Sequence, residues 1–330
     1  MSAPAESWGS VFVEAAARLH FGVLDLRGTL GRRFGGLGAA VPEPSLLLEV
    51  EPDERLSAHG EEPERVMRFA KQFLSYHRMD DTGARLTLHR GIPAHSGLGS
   101  GTQLGLAVAR ALAELHGLPT DPVGLARAVD RGKRSAIGTW TFALGGFIVE
   151  GGRRLDASEI APLLARYPIP DGWRCVVAVP DGAPGLSGDA EAAAFERLPP
   201  APEREVERVA HLVLMQLLPA LVEADLTSFG AALTEVQRVT GGWFAPQQGG
   251  AFAPGPTEML VRRMAEWGAL GVGQSSWGPA VYALADDLAT SREVAARATA
   301  LLAGNGRVFE GGFTGVGARV WRAEVAGSRD

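Results

Sequence analysis

The 330-residue sequence contains one cysteine, Cys175. A single thiol closes no internal disulfide and supplies no multi-cysteine zinc site, so a reducing, cytoplasmic setting is expected. No run approaches the roughly 18 consecutive apolar residues of a membrane-spanning helix. The richest, Leu212 to Val222, is broken by Gln216 and Pro219. The chain does not open on a basic segment followed by an apolar one, and no secretory signal is expected. Positive charge is in deficit: 32 Lys and Arg face 38 Asp and Glu, a net charge of −6. No global basic field is present to attract nucleic acid or an anionic membrane, and neither is expected as a partner. Internal repeats and long low-complexity segments are also missing.

What remains is an ordinary globular composition, 46% hydrophobic and 21% charged. At roughly 150 residues per domain the length favours two domains. The boundary is placed between Ala165 and Gly172, which gives an N-terminal domain over 1–168 and a C-terminal domain over 169–330. Glycine is in excess, 43 residues against a usual share of about 7%, and the glycines cluster.

Period-two patterns predict strands over Ser10–Ala16 and Ser45–Val50, with a Gly and Arg rich loop, Arg27 to Gly38, between them. Helical spacing follows over Pro63–His77, a strand over Ala84–Arg90 and an amphipathic helix over Gly101–Gly117. Asp121 and Pro122 open a further helix that runs to about Gly132, Asp as a cap and Pro at the first position. Phe142–Glu150 and Trp173–Pro180 read as strands. Helices are predicted over Glu203–Glu223, Leu226–Val239, Thr257–Trp267 and Asp287–Leu302. Leu270–Leu284 reads as strand, loop, strand, and further strands lie near Arg307 and over Arg319–Val325. The class is α+β, antiparallel in its second half.

The strongest local feature joins a strand to the Gly101 helix: Pro93-Ala94-His95-Ser96-Gly97-Leu98-Gly99-Ser100-Gly101-Thr102-Gln103. Small residues admit close approach of an anion, and the free amides and dipole of a helix N-terminus favour negative charge, so a phosphate or pyrophosphate is the natural ligand. The alternative is a tight turn without function. The segment lacks the lysine of the GxxxxGK[ST] loop and the spacing of GxGxxG.

This stretch resembles the PxxxGLGSS phosphate loop of the GHMP kinases, and Gly271-Val-Gly-Gln-Ser-Ser-Trp-Gly-Pro279 is similar to their C-terminal glycine-rich motif. The continuation Gly101-Thr102-Gln103 and the presence of His95 narrow the likeness. With Ala17-Arg18-Leu19-His20-Phe21-Gly22, Gly132-Lys133-Arg134-Ser135-Ala136-Ile137-Gly138 and Gly145-Gly146-Phe147-Ile148, the chain resembles the β-ribofuranosylaminobenzene 5'-phosphate synthases from Val11 to about Val325. The resemblance implies a two-domain GHMP-kinase-like fold, its N-terminal half like ribosomal S5 domain 2 and its C-terminal half ferredoxin-like. It also implies a cytoplasmic homodimer. The implied reaction condenses phosphoribosyl pyrophosphate with 4-aminobenzoate or 4-hydroxybenzoate, releasing carbon dioxide and pyrophosphate, in tetrahydromethanopterin biosynthesis and one-carbon metabolism.

Under that resemblance the site residues divide by task. Ser96 to Gln103 would hold pyrophosphate. Lys133 and Arg134 would pair with a phosphate as point charge and fork, or else form a solvated pair closing a helix. Arg33, in the N-terminal glycine-rich loop, is a second candidate for the 5'-phosphate. His95 and His20 are candidate catalytic groups, an imidazole near the leaving oxygen being able to donate to it. Asp25 is the third, and the expected Mg²⁺ ligand, because magnesium favours one or two carboxylates with substrate phosphates. Trp140 and Trp277 are candidates for stacking on the aromatic ring, with core packing as the alternative. Gln274, Ser275 and Ser276 add neutral donors. His211 and Cys175 read as structural. No redox cofactor is called for. Two other classes stay open, an ATP-dependent small-molecule kinase and a catalytically inert member of the fold.

Overall fold

A computed structural model describes residues 9–157, 159–182, 185–186 and 188–323. The N-terminal sheet is organised on two long strands. β1 (Val11–Asp25) buries alternate residues, and β2 (Arg32–Glu51) runs antiparallel beside it from Val11↔Val50 to Asp25↔Phe34. β3 (Leu56–Gly60) and β4 (Ala84–Arg90) are parallel, joined by the crossover helix α1 (Pro63–Tyr76). Three helices follow, α2 (Ser100–His116), α3 (Pro122–Ala128) and α4 (Ile137–Leu144). Then come β5 (Phe147–Glu150), β6 (Arg153–Arg154) and β7 (Leu163–Tyr167). The sheet order is β12-β1-β2-β4-β3, with β5 and β6 also on β2 and β7 on β5. Its last member, β12 (Arg319–Arg322), comes from the far end of the chain.

Between Tyr167 and Arg174 the chain passes to a second, antiparallel sheet of order β11-β8-β10-β9. Its strands are β8 (Arg174–Pro180), β9 (Leu270–Gln274), β10 (Val281–Ala285) and β11 (Gly306–Gly311). Around it lie α5 (Gly188–Arg197), α6 (Glu203–Leu212), α7 (Leu218–Val222), α8 (Leu226–Gln248), α9 (Pro256–Glu266) and α10 (Leu288–Leu302). A π-helical turn, Val213–Leu217, joins α6 to α7.

β8 is apolar throughout because both of its faces are covered. Cys175, Val177 and Val179 join a core continuous with the N-terminal sheet, while Val176 and Ala178 pack with Leu260, Met264, Val294 and Ala298 of α9 and α10. Burial pushes the Cys175 thiol up, so it stays protonated and inert. A chain of rings crosses the shared core. Phe21 meets Tyr282 at 4.8 Å and Phe147 at 5.9 Å, Phe147 meets Phe229 at 5.8 Å, and Phe229 meets Trp173 at 4.9 Å.

The α+β class and most predicted elements stand, with informative differences. The Arg27–Gly38 loop is strand β2 from Arg32 onward: Gly36 and Gly38 are there because α4 rides on them, and a Cβ at Gly38 would lie 2.4 Å from Ile137 Cγ2. Phe142 belongs to α4, which ends at Gly145 (φ +61), so the strand begins at Phe147. The helix after Pro122 stops at Ala128, and α8 continues nine residues past Val239 to Gln248. β3, β6, β7 and α5 carry too short or too polar a pattern to be read. Residues 324 and 325 of the last predicted strand lie outside the described residues.

Phe229 is 2% exposed and links the two sheets. Phe229→Ala is expected to cost about 3–5 kcal/mol. Because the core is shared, calorimetry should show one transition moving down in temperature; two separated transitions would contradict a common core.

Candidate active site

The Pro93–Gln103 segment turns tightly into α2. Gly97 (φ +85) and Gly99 (φ +80) take conformations that L side chains avoid. Neither has room for one: a Cβ at Gly97 would stand 2.2 Å from the Ser275 carbonyl oxygen, and one at Gly99 2.8 Å from Arg18 Cγ. Leu98 is fully buried and anchors the turn, and its carbonyl accepts from the Arg18 amide at 3.1 Å. Ser96 Oγ donates to the Pro93 carbonyl at 2.7 Å, so this hydroxyl shapes the loop. The Ser100 and Gly101 amides precede the first intrahelical bond and have no backbone partner among the described residues. Free amides at a helix N-terminus are groups suited to an anion; of this turn, Thr102 lines the cleft described next.

The second glycine-rich segment locks onto this loop. Ser275 is fully buried; its Oγ donates to the Gly97 carbonyl at 2.8 Å and accepts from the His20 amide at 3.0 Å. Gln274 is satisfied internally, its Oε1 accepting from Ala253 at 2.7 Å and its Nε2 donating to Ser276 at 3.0 Å. Gln103 Nε2 donates to the Gly138 carbonyl at 3.0 Å and ties α2 to α4.

A cleft of about 410 Å³ opens beside the loop. One pole is cationic. Arg18, Thr102, Arg131, Lys133 and Arg134 line it. Arg18 donates to the Gly97 carbonyl, and burial lowers its pKa to about 10, against the opposing pull of Glu191. Burial, and then Arg68 and Arg65, lower that of Arg131, whose Nε is buried without a partner. Lys133 pairs with Asp130 at 2.5 Å and Arg134 with Glu191. Crowded cations at a helix N-terminus favour a multiply charged anion.

The other pole is aromatic. Phe195 meets Phe34 at 5.3 Å, Phe244 at 5.7 Å and Trp277 at 5.5 Å, all nearly edge-on, and all four rings line the cleft. The Trp277 indole donates to Glu191, which lies between wall and guanidinium groups and whose pKa burial raises. Such a wall takes an aromatic ring by edge or offset contact, worth about 1 kcal/mol beyond burial.

Also lining the cleft, His20 is 8% exposed, with Nε2 3.3 Å from Ser135 Oγ. Burial, reinforced by Arg18, drops its pKa to about 3, so the ring is neutral throughout the physiological range. A neutral imidazole orients or accepts; it is not a standing acid.

Other predicted residues fall elsewhere. His95 (φ +53) is exposed at the loop's outer turn, its carbonyl accepting from Gly185 at 2.8 Å, and it does not line the cleft. Asp25 Oδ1 accepts from the Arg27 and Gly28 amides at 2.6 and 3.1 Å, closing the β1–β2 turn away from the cleft. Arg33 donates to the Leu26 carbonyl at 2.9 Å in the same hairpin. Trp140 donates to the Ala161 carbonyl at 2.9 Å and also stands off the cleft. Lys133, Arg134, Thr102, Gln274, Ser276, Trp277 and His20 are brought together.

Known proteins resemble this chain in sequence and in fold. The GHMP kinases N terminal domain matches residues 64–146 and the GHMP kinases C terminal domain residues 217–304. The chain is 34% identical to a beta-ribofuranosylphenol 5'-phosphate synthase of Methanothermobacter thermautotrophicus, over 93% of this chain and 98% of the relative. It is 35% identical to that of Archaeoglobus fulgidus over 82% and 86%. The chain belongs to this family. The fold is shared with homoserine kinase from Cytophaga hutchinsonii (TM-score 0.69, 16% identity, 97% of this chain and 99% of that one). L. major mevalonate kinase has it too (TM-score 0.68, 18% identity, 96% and 99%). This is therefore a synthase-family chain on the two-domain GHMP kinase fold.

Sequence reasoning passed over several cleft residues of this family member. Arg18 stands two residues before His20 on one strand, and hence on the same face. Glu191 and Phe195 share a helix face at a spacing of four, in a stretch of alanines too weakly patterned to be read. Arg131 directly precedes the predicted basic turn. Phe34 and Phe244 are distant in sequence and meet only through Phe195.

Two outcomes follow. Ser275→Ala removes the bridge between the loop and β1 and leaves the buried His20 amide unpaired, while the Gly97 carbonyl keeps Arg18. It should lower stability by about 1–3 kcal/mol and weaken pyrophosphate binding, measured by calorimetric titration; unchanged binding would detach the clamp from the loop's function. The second concerns acid. The folded pKa of His20 lies below its unfolded value, so stability falls as pH drops from about 6.5 toward 3. Burial raises Glu150 to about 7, and its contribution grows as pH drops from 7 toward 4.5. The two oppose each other between pH 4.5 and 6.5. In Glu150→Gln the His20 effect stands alone, so denaturant titrations should show stability falling more steeply with acid, by up to about 1.4 kcal/mol per pH unit.

Proposed function

We propose that the protein joins a phosphoribosyl group from phosphoribosyl pyrophosphate to the ring carbon of a para-substituted benzoate, releasing carbon dioxide and pyrophosphate. The observation that carries this is one cleft lined both by Arg18, Arg131, Lys133, Arg134 and Thr102 of the first turn of α2 and by four aromatic rings; Ser96 to Gly101 stand behind Thr102, outside the lining. The names of the relatives, with a phenol in the product, favour 4-hydroxybenzoate over 4-aminobenzoate as acceptor. A place in tetrahydromethanopterin biosynthesis follows from that product.

As the bond from the anomeric carbon to pyrophosphate breaks, positive charge builds on the sugar and negative charge on the leaving group. Fixed amides and guanidinium groups stabilise the latter as it develops. The para oxygen or nitrogen pushes electrons to the carboxylate-bearing carbon, which bonds to the sugar. Loss of carbon dioxide then returns an electron pair to the ring. No proton is gained or lost overall, which suits a neutral His20. Magnesium, implied by the family resemblance, fits the donors at hand: Asp130, paired with Lys133, and Asp189 line the cleft, and Asp189 has no ion-pair partner among the described residues. Those two carboxylates, rather than Asp25, would hold the ion and with it neutralise pyrophosphate charge.

The test uses carboxyl-labelled 4-hydroxybenzoate and 4-aminobenzoate with phosphoribosyl pyrophosphate and Mg²⁺. Labelled carbon dioxide and pyrophosphate should appear in equal amounts without ATP, and benzoate lacking the para donor should react very poorly. Label kept in the aryl ribotide, or phosphate transfer from ATP to a small alcohol instead, would overturn the proposal.

A further inference from the structure

Glu150 is fully buried at the end of β5, and no cation faces it among the described residues. Its Oε2 accepts from the Gly152 amide at 2.7 Å, its Oε1 accepts from Ala136 at 3.4 Å, and Ser135 donates to it. β2 presents only Gly36 here: the point where a Gly36 Cβ would stand lies 3.4 Å from Glu150 Oε1 and 3.3 Å from His20 Nε2. β7 presents Leu163 opposite it. The titratable neighbour is His20 on β1, and the nearest charge acting on that ring is Arg18. A buried carboxylate without a cation is costly, and such groups concentrate at functional sites.

The Ser135 hydroxyl has one proton and two lone pairs. One lone pair is taken by the Ile137 amide at 3.3 Å. One proton and one lone pair are left for two partners, His20 Nε2 and the Glu150 carboxyl. When Glu150 is ionised it takes the hydroxyl proton, and the remaining lone pair accepts from His20 Nε2–H. When Glu150 is protonated it donates to Ser135, whose own proton turns to a bare Nε2, and the imidazole carries its hydrogen on Nδ1. We propose that Glu150 is a positioning residue that sets, through Ser135, which nitrogen of the cleft-lining His20 bears its proton. The imidazole therefore exchanges its donor and acceptor nitrogens while remaining uncharged in both states.

The experiment reads ¹⁵N shifts of the histidine rings in the full-length protein from pH 5 to 9, with His20 assigned by loss of its signals in His20→Gln. It needs no substrate and is independent of the proposed reaction. In the wild type His20 should stay neutral while its tautomer changes with a midpoint near pH 7, where Glu150 titrates. In Glu150→Gln the midpoint should vanish. Ser135→Ala, which leaves the carboxylate in place, should also abolish the pH dependence and serves if the first variant does not fold. A pH-independent tautomer in the wild type, protonation of His20 itself in this range, or a transition that survives in either variant overturns the proposal.

Discussion

The working geometry depends on one buried hydroxyl, that of Ser275. It gives its proton to Gly97 in the phosphate loop and takes one from His20 on β1, so three distant segments of sequence meet at one oxygen. The glycine at 97 is a consequence: with the Ser275 carbonyl 2.2 Å from where a Cβ would be, the loop seats against the second motif only if no side chain stands there. Once seated, the loop leads into α2 and holds the Arg18 guanidinium on the Gly97 carbonyl.

Charge is distributed around that contact unevenly. Cations collect along one part of the cleft, Lys133 exposed and Arg18 and Arg131 buried, where they can draw in a polyanion. Beneath them the polar groups run neutral: His20 has lost its proton, Ser135 is uncharged, and Glu150 resists ionisation. In the proposed reaction, which breaks a carbon–oxygen bond to pyrophosphate, strong fields at one end would stabilise the leaving group, and a neutral floor would keep competing proton traffic away from an electron-rich ring.

Much of the fold was legible in the sequence, and the reasons separate the residues that were read from those that were missed. α2, β4 and β8 carry their own periodicity, and the Gly97–Thr102 loop carries its conformation in its glycines. β2 was hidden because its glycines answer to α4, a helix whose own pattern was mistaken for the start of β5. Of the candidate site, the two glycine-rich segments, the basic turn and His20 were visible as local motifs. The aromatic wall was not, since Phe34, Phe195, Phe244 and Trp277 are separated by up to 243 residues and share no spacing rule. Asp25, His95, Arg33 and Trp140 were plausible from neighbours in sequence, yet the turn at Asp25 and the indole bond of Trp140 are local needs that a linear reading does not distinguish from ligand contacts.

The shared core also constrains how such a chain can be recombined. β12 returns to the first sheet beside β1, and Phe21 of one half packs on Tyr282 of the other. Severing the polypeptide between Tyr167 and Arg174 would leave each fragment with an open hydrophobic face and the phosphate loop without its clamp. A chimera that joins the front of one relative to the back of another would therefore inherit its failures at the seam, where two sets of rings must interdigitate, before any difference in chemistry was felt.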